Sequence, residues 1–230
     1  MRTVNEWLQA FNLMYNNIAS DKAPGLEPYE ISMFLTAAQN AVVVSLYKGE
    51  LNGDAFESTE EITSYLGTLV KQATLSECDE DVYRVCGSSY LYRNPEDLLF
   101  RTLESCKITT QCGDEQVPVV PVTQDEYWRT VRNPFKRQNR RRVLRLSYSV
   151  GSCSEGTASE KGYTELISSY PIFEYTVRYM KKPEPIVLEN LSDGLSIDGK
   201  TQEMPCLLPE ALHQTILVKA VEIAKATWNA

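Results

Sequence analysis

Pro209–Trp228 reads PEALHQTILVKAVEIAKATW, and this stretch decides the fold. Proline suits the first turn of a helix, where its missing N–H has no intrahelical partner to lose. Leu212, Ile216, Ala220, Ile223 and Thr227 then follow at helical spacing along one face. Leu217, Val218, Val221 and Trp228 widen the apolar surface beyond what a helix alone in water can keep exposed. The pattern predicts a helix that must pack on other helices, and the strongest helical patterns lie in the first third of the chain.

There, Thr3 and Glu6 make a capping box ahead of Val4, Trp7, Leu8, Phe11, Tyr15 and Ile18 on one stripe. Pro24-Gly25 closes a break from Asp21, and Pro28 opens a second helix burying Ile31, Phe34, Leu35, Ala38, Val42 and Leu46. Asn52-Gly53-Asp54 is a turn. Ser58 with Glu61 caps a third helix through Ile62, Tyr65, Leu66, Leu69 and Val70. The returning C-terminal helix completes this bundle.

The middle changes character. Val82–Val85, Tyr90–Tyr92, Leu98–Leu103, Val143–Tyr148 and Ile172–Met180 read as strands, with a short helix over Gln124–Arg132. Val117–Val122 is β-branched but carries two prolines, which predicts a sheet edge or an extended arm. Ser149–Gly162 is small, polar and glycine-containing, and reads as a flexible loop. Asp193-Gly194 and Asp198-Gly199 mark turns. The fold class that follows is α+β. Residues 1–76 form a helical bundle, 77–205 a β-rich region (sandwich or barrel-like), and 206–230 the C-terminal helix returning to the bundle.

Charge is distributed unevenly. Arg129–Arg145, RTVRNPFKRQNRRRVLR, holds eight Lys or Arg among seventeen residues and no acid. The chain carries −8 overall, so setting aside this +8 leaves −16 on the rest. The basic residues are Arg129, Arg132, Lys136, Arg137, Arg140, Arg141, Arg142 and Arg145. Guanidinium groups suit bidentate contacts to carboxylate or phosphate, so this strip is the candidate contact with an acidic protein face or with nucleic acid. Pro134-Phe135 reads as an anchor within the run. Thin aromatic interleaving argues against single-strand stacking.

Enzyme signatures are missing: no G-x-x-x-x-G-K-[ST], G-x-G-x-x-G, H-E-x-x-H or G-x-S-x-G occurs. The one histidine, His213, sits in the helical pattern and reads as structural. Six cysteines without a C-x-x-C pair read as free thiols in a reducing compartment rather than a zinc site. Glu77, Asp79, Glu80 and Asp81 read as a solvated acidic loop; a hydrolytic metal site there is the weaker alternative, so neither cofactor nor metal is expected. No apolar run is long enough to span a membrane, and MRTVNEWLQAF lacks a signal-peptide core.

Four segments resemble structural proteins of crAss-like phages. They are YEISMFLTAAQNAVVVSLYKGELNGDAFESTEEITSYL, VPVVPVTQDEYWRTVRNPFKRQNRRRVLRL, YMKKPEPIVLENLSDGLSIDG and LPEALHQTILVKAVEIAKA, together most of the chain. None is a catalytic signature. The resemblance implies a ring or head–tail connector protein, similar to the tubular adaptors of short-tailed phages. It further implies a twelve-copy homo-oligomer between portal and tail, touching the portal protein and other tail ring proteins, with DNA passing through the lumen. Such a protein resides in the virion, assembled in the host cytoplasm. The alternative is a nucleic-acid-binding protein that contacts packaged DNA through Arg129–Arg145.

Overall fold

The computed structural model describes residues 3–18, 25–49, 60–78, 84–111, 113–154, 157–192 and 194–228. The architecture is α+β. In chain order the described elements are α1 (Val4–Ile18), α2 (Pro28–Lys48), α3 (Glu60–Leu66), β1 (Val70–Leu75), β2 (Tyr90–Arg93), β3 (Leu98–Thr110) and β4 (Gly113–Pro121). There follow α4 (Gln124–Arg132), β5 (Val143–Ser154), β6 (Thr157–Ile167), β7 (Ile172–Lys181) and α5 (His213–Trp228). Two compact units divide the chain: Met1–Leu69 with Lys182–Ala230, and Val70–Lys181.

In the first unit, α5 packs on α1 and α2, so the C-terminal helix does complete the N-terminal bundle. The Thr3–Glu6 capping box forms: the Thr3 N–H donates to Glu6 Oε2 at 2.8 Å and the Glu6 N–H to Thr3 Oγ1 at 3.4 Å. Trp7 and Phe11 of α1, Ile31 and Leu35 of α2, and Ile216, Leu217 and Ala220 of α5 are buried completely. Gly49 ends α2 in the left-handed conformation (φ 75°) that glycine adopts without strain. The α2 face toward residues 184–188 is polar rather than apolar. The Gln39 side chain donates to the Glu184 carbonyl at 2.7 Å. Thr36 Oγ1 accepts from the Ile186 N–H at 3.1 Å, and Ser32 Oγ accepts from the Leu188 N–H at 3.0 Å. Residues spaced i, i+4 and i+7 on one helix thus supply an extended segment with the partners a strand would otherwise provide. Asp198-Gly199 forms the expected tight turn, both φ angles being positive, with Ile197 and Lys200 paired across it.

The second unit is one seven-stranded sheet in the order β1-β7-β3-β4-β5-β6-β2. It curls. Tyr92 of β2 and Tyr175 of β7 lie far apart in strand order, yet their ring centroids are 4.9 Å apart. Glu77, just past β1, bridges Tyr92, and the Cys78 N–H donates to the Leu91 carbonyl at 2.8 Å. The expected barrel-like middle is therefore present. Its interior holds Tyr92, Cys106, Ile108, Val117, Val143, Leu166, Tyr175 and Val177. On the opposite sheet face, α4 lays Tyr127 on Leu144, Leu146 and Ile167.

Several expectations need correction. Val70 opens β1 instead of ending the third helix, because the helix stops at Leu66 and a single 3-10 turn, Gly67–Leu69, redirects the chain. Val117–Val122 lies at the sheet's centre. β4 pairs antiparallel with β3 up to Pro118, then parallel with β5 over Val119–Pro121. Both prolines fall at ladder ends, where a missing N–H interrupts neither ladder. Ser149–Gly162 continues β5 and β6 as an antiparallel ladder from Ser149↔Gly162 to Ser154↔Thr157. The Ser58 cap, the Asn52–Asp54 turn, the break at 21–24 and the acidic positions Asp79–Asp81 lie outside the described residues.

Candidate assembly interface

Parallel neighbours cannot be joined by a tight hairpin, so β4 and β5 require a crossover. That crossover is α4 plus the turns 133–142, and it carries most of the basic strip. Asn133 starts the first turn: its side-chain oxygen accepts from the Phe135 N–H at 2.9 Å, and its carbonyl from Lys136 and Arg137. Asn139 starts the second: its side-chain oxygen accepts from the Arg141 N–H at 2.8 Å, while Asn139 and Arg142 pair backbone to backbone. Asparagine side chains favour such turns, and here two of them fix the loop's path.

The eight basic residues take three positions. Arg129, Arg132, Lys136, Arg137 and Arg141 are exposed and Arg142 is half-buried. Among the described residues none of these six has a carboxylate in ion-pair range. Arg140 forms a two-pronged ion pair with Glu115 of β4, Nε to Oε2 at 2.8 Å and Nη2 to Oε1. Hydrogen bonding from Arg140 holds the Glu115 carboxyl below the usual range. Arg145 turns inward. Strand alternation places it in the barrel interior, its side chain 14% exposed, with Nε 3.3 Å from Glu104 Oε2.

Glu104 is the centre of that interior cluster. Arg101 Nε stands 3.4 Å from Glu104 Oε1, and the Tyr175 hydroxyl donates to the same oxygen. Burial is the main cause that pushes the Tyr175 hydroxyl above its ordinary range; burial also lowers Arg101, with the Arg145 charge adding to it. Arg101 also donates to Asn94 Oδ1 at 2.8 Å and Thr164 Oγ1 at 2.9 Å. Glu104, Arg101 and Tyr175 have no local sequence signature; strand pairing sets Tyr175 of β7 diagonally beside Glu104 of β3, and Arg145 reaches them from β5, across β4.

Phe135 is not an anchor within its own chain: it is 86% exposed. Trp128, which the sequence pattern does not single out, is 60% exposed while its neighbour Tyr127 is buried. The signal was available in retrospect, since adjacent helical residues point about 100° apart and Tyr127 takes the core-facing position. The crossover therefore displays two large aromatics among arginines, the residue types that dominate binding at protein interfaces. Beside it, Arg137, Gln138, Asn139, Arg140, Ser169 and Tyr170 line a cleft of about 360 Å³, wide enough for an incoming side chain.

His213 is a core residue, its ring 4.9 Å from Trp7 and its Nε2–H donating to the Leu208 carbonyl at 3.0 Å. Cys78, Cys86, Cys106 and Cys206 are free thiols; burial raises Cys106 to about 12 and Cys206 to about 11. Among the described residues no helix is long and apolar enough to cross a membrane.

A sequence model of the phage tail ring protein 3/4 family matches residues 2–230. Ring protein 3 of Bacteroides phage crAss001 is 34% identical over 228 residues, covering 96% of this chain and 94% of that protein. Ring protein 4/5 of the same phage is 30% identical over 235 residues, covering 98% and 93%.

Proposed function

Because this chain belongs to the phage tail ring protein 3/4 family, we propose that it closes into a twelve-copy ring between portal and tail, using its basic crossover as the contact between subunits. It is a structural virion protein of crAss-like phage type, not an enzyme. The observation that carries the contact is the display of Trp128 and Phe135 beside Arg129, Arg132, Lys136, Arg137, Arg141 and Arg142 on one backbone-fixed crossover. An acidic body supplies the complementary surface on the next copy, and unlike patches meeting head to tail close into a ring when the rotation divides the circle. The same acidity lets DNA traverse the lumen without adhering to the wall. Portal protein and further ring proteins would flank the ring along its axis.

The test is Arg137→Glu, Arg141→Glu and Arg142→Glu in one chain, leaving the Arg140–Glu115 pair intact. The variant should keep its circular dichroism spectrum and lose assembly in mass photometry. Unchanged assembly would remove the crossover from the contact. Were the wild-type chain monomeric yet retained on DNA with a steep salt dependence, phosphate contact with packaged DNA would replace this reading.

A further inference from the structure

β5 and β6 outrun the sheet they belong to. β4 pairs with β5 only over Val143–Arg145, and β2 pairs with β6 only over Tyr163–Leu166. Beyond those limits the two strands pair with each other alone, out to Ser154↔Thr157. Two bonds at the base establish which backbone groups face outward along this ribbon. The Arg145 carbonyl oxygen accepts from the Val122 N–H at 2.9 Å, on the β4 side. Gly162 offers its carbonyl oxygen to the Asn94 N–H at 2.9 Å, on the β2 side. Arg145↔Leu166 and Ser149↔Gly162 are therefore pairs that do not bond to each other, and antiparallel pairs alternate. By the same register Gly151↔Glu160 and Cys153↔Ala158 also turn their N–H and C=O groups away from the ribbon. Among the described residues no further strand pairs with β5 or β6 along this stretch.

The composition gives the ribbon little of its own to stand on. Residues 149–154 and 157–161 include four serines, a glycine and no aromatic, so strand propensity is weak and there is no apolar face to bury. A lone two-stranded ribbon is marginal in water. The segments also contain no proline, one of the devices by which proteins block an open edge.

We infer that this ribbon is an intersubunit element: the outer edge of β5 in one copy pairs with the outer edge of β6 in the next copy of the same chain. The inference rests on the ring reading. A second copy fits because the two edges run in opposite directions. Successive subunits related by one rotation thus bring β5 against β6 antiparallel, and the pairing repeats until the ring closes.

Hydrogen exchange of the full chain, as monomer and as assembled ring, tests it. Amides in 149–154 and 157–161 should exchange at least about tenfold more slowly in the ring. Gly151→Pro removes an outward donor from β5 and Glu160→Pro one from β6; each should raise the concentration for half-assembly by roughly two- to tenfold. A ring whose ribbon amides exchange at the monomer rate overturns the pairing and leaves the ring reading standing. A chain that never assembles overturns both. Protection that arises only when another tail ring protein is added overturns pairing between copies.

Discussion

Replacing Glu104 by glutamine is the most informative perturbation of the β-rich unit. Glu104 is 9% exposed and serves Arg101, Arg145 and Tyr175 at once. The amide keeps the shape and removes the charge, leaving two guanidinium groups, 16% and 14% exposed, in each other's field. Breaking a buried ion pair by removing one partner costs about 3–5 kcal/mol, because the remaining charge is left uncompensated. Arg145→Met should behave differently. It removes the cation whose Nη1 has no hydrogen-bond partner, and Glu104 keeps Arg101 and Tyr175. Its cost should be about 0–2 kcal/mol, since Glu104 stays paired with Arg101 and no buried charge is left uncompensated. Tyr175→Phe loses one bond to a charged acceptor and should fall between, at about 1.5–3 kcal/mol. Urea unfolding followed by far-ultraviolet circular dichroism measures all three. Glu104→Gln within about 1 kcal/mol of wild type would refute the compensation argument. So would Arg145→Met proving the most damaging of the three. Arg145→Met should also assemble normally, which separates it from charge reversal on the crossover.

Two further outcomes follow from particular contacts. A Cβ at Gly162 would stand 2.8 Å from Asn94 Nδ2, so Gly162→Ala should destabilise by about 1–3 kcal/mol through overpacking; Asn94→Ala in the same chain should recover part of that, and a double-mutant cycle by urea unfolding showing no coupling would refute it. The carboxyls of Glu115 and Glu174 lie below their ordinary 4.5, through hydrogen bonds from Arg140 and Lys107. Burial pushes Asp97 up, but bonds from Lys71 and Tyr179 outweigh it and hold it below 3.8. Depressed carboxyls stabilise above their unfolded values and cease to do so as pH falls through the folded ones, so urea midpoints should be level above about pH 5 and drop toward about pH 3. Lys107→Met should flatten that acid drop, and an unchanged drop would exclude the Glu174 pair from it.

The helices were legible because their signals are local. The Thr3–Glu6 box, Pro28 and the apolar breadth of 209–228 are each set within a few turns of chain. The strands were legible where side chains alternate, as in Val143–Tyr148. What escaped was set by pairing. Val70 continues the helical apolar spacing, and only its partner Met180 on β7 makes it a strand residue. Ser149–Gly162 has weak strand propensity, yet the register established at Leu144↔Ile167 carries through it. Val117–Val122 looks like an edge by its prolines and sits centrally because two different neighbours share it. Even within α5 the buried face, Ile216, Leu217, Ala220, Val221 and Ala224, is rotated from the stripe that spacing suggests, since α1 and α2 choose which side is covered.

The basic strip shows the same division most sharply. By charge alone its eight residues are equivalent, and topology makes them unequal. A parallel β4–β5 pair forces a crossover, and α4 must bury Tyr127 on the sheet to cover Leu144, Leu146 and Ile167. Its remaining face and the turns that follow are left to solvent, where a guanidinium keeps its hydration. Trp128 and Phe135 are left there too, and an exposed aromatic pair gains nothing from water. Immediately after the last turn arginine, Arg142, the chain enters β5, and alternation delivers Arg145, three residues on, to the barrel interior, where Glu104 makes a buried cation tolerable. Position on the crossover, more than charge density, therefore determines which arginines are available to the proposed contact, and the aromatics displayed beside them would give such a contact more than a transient attraction of opposite charges.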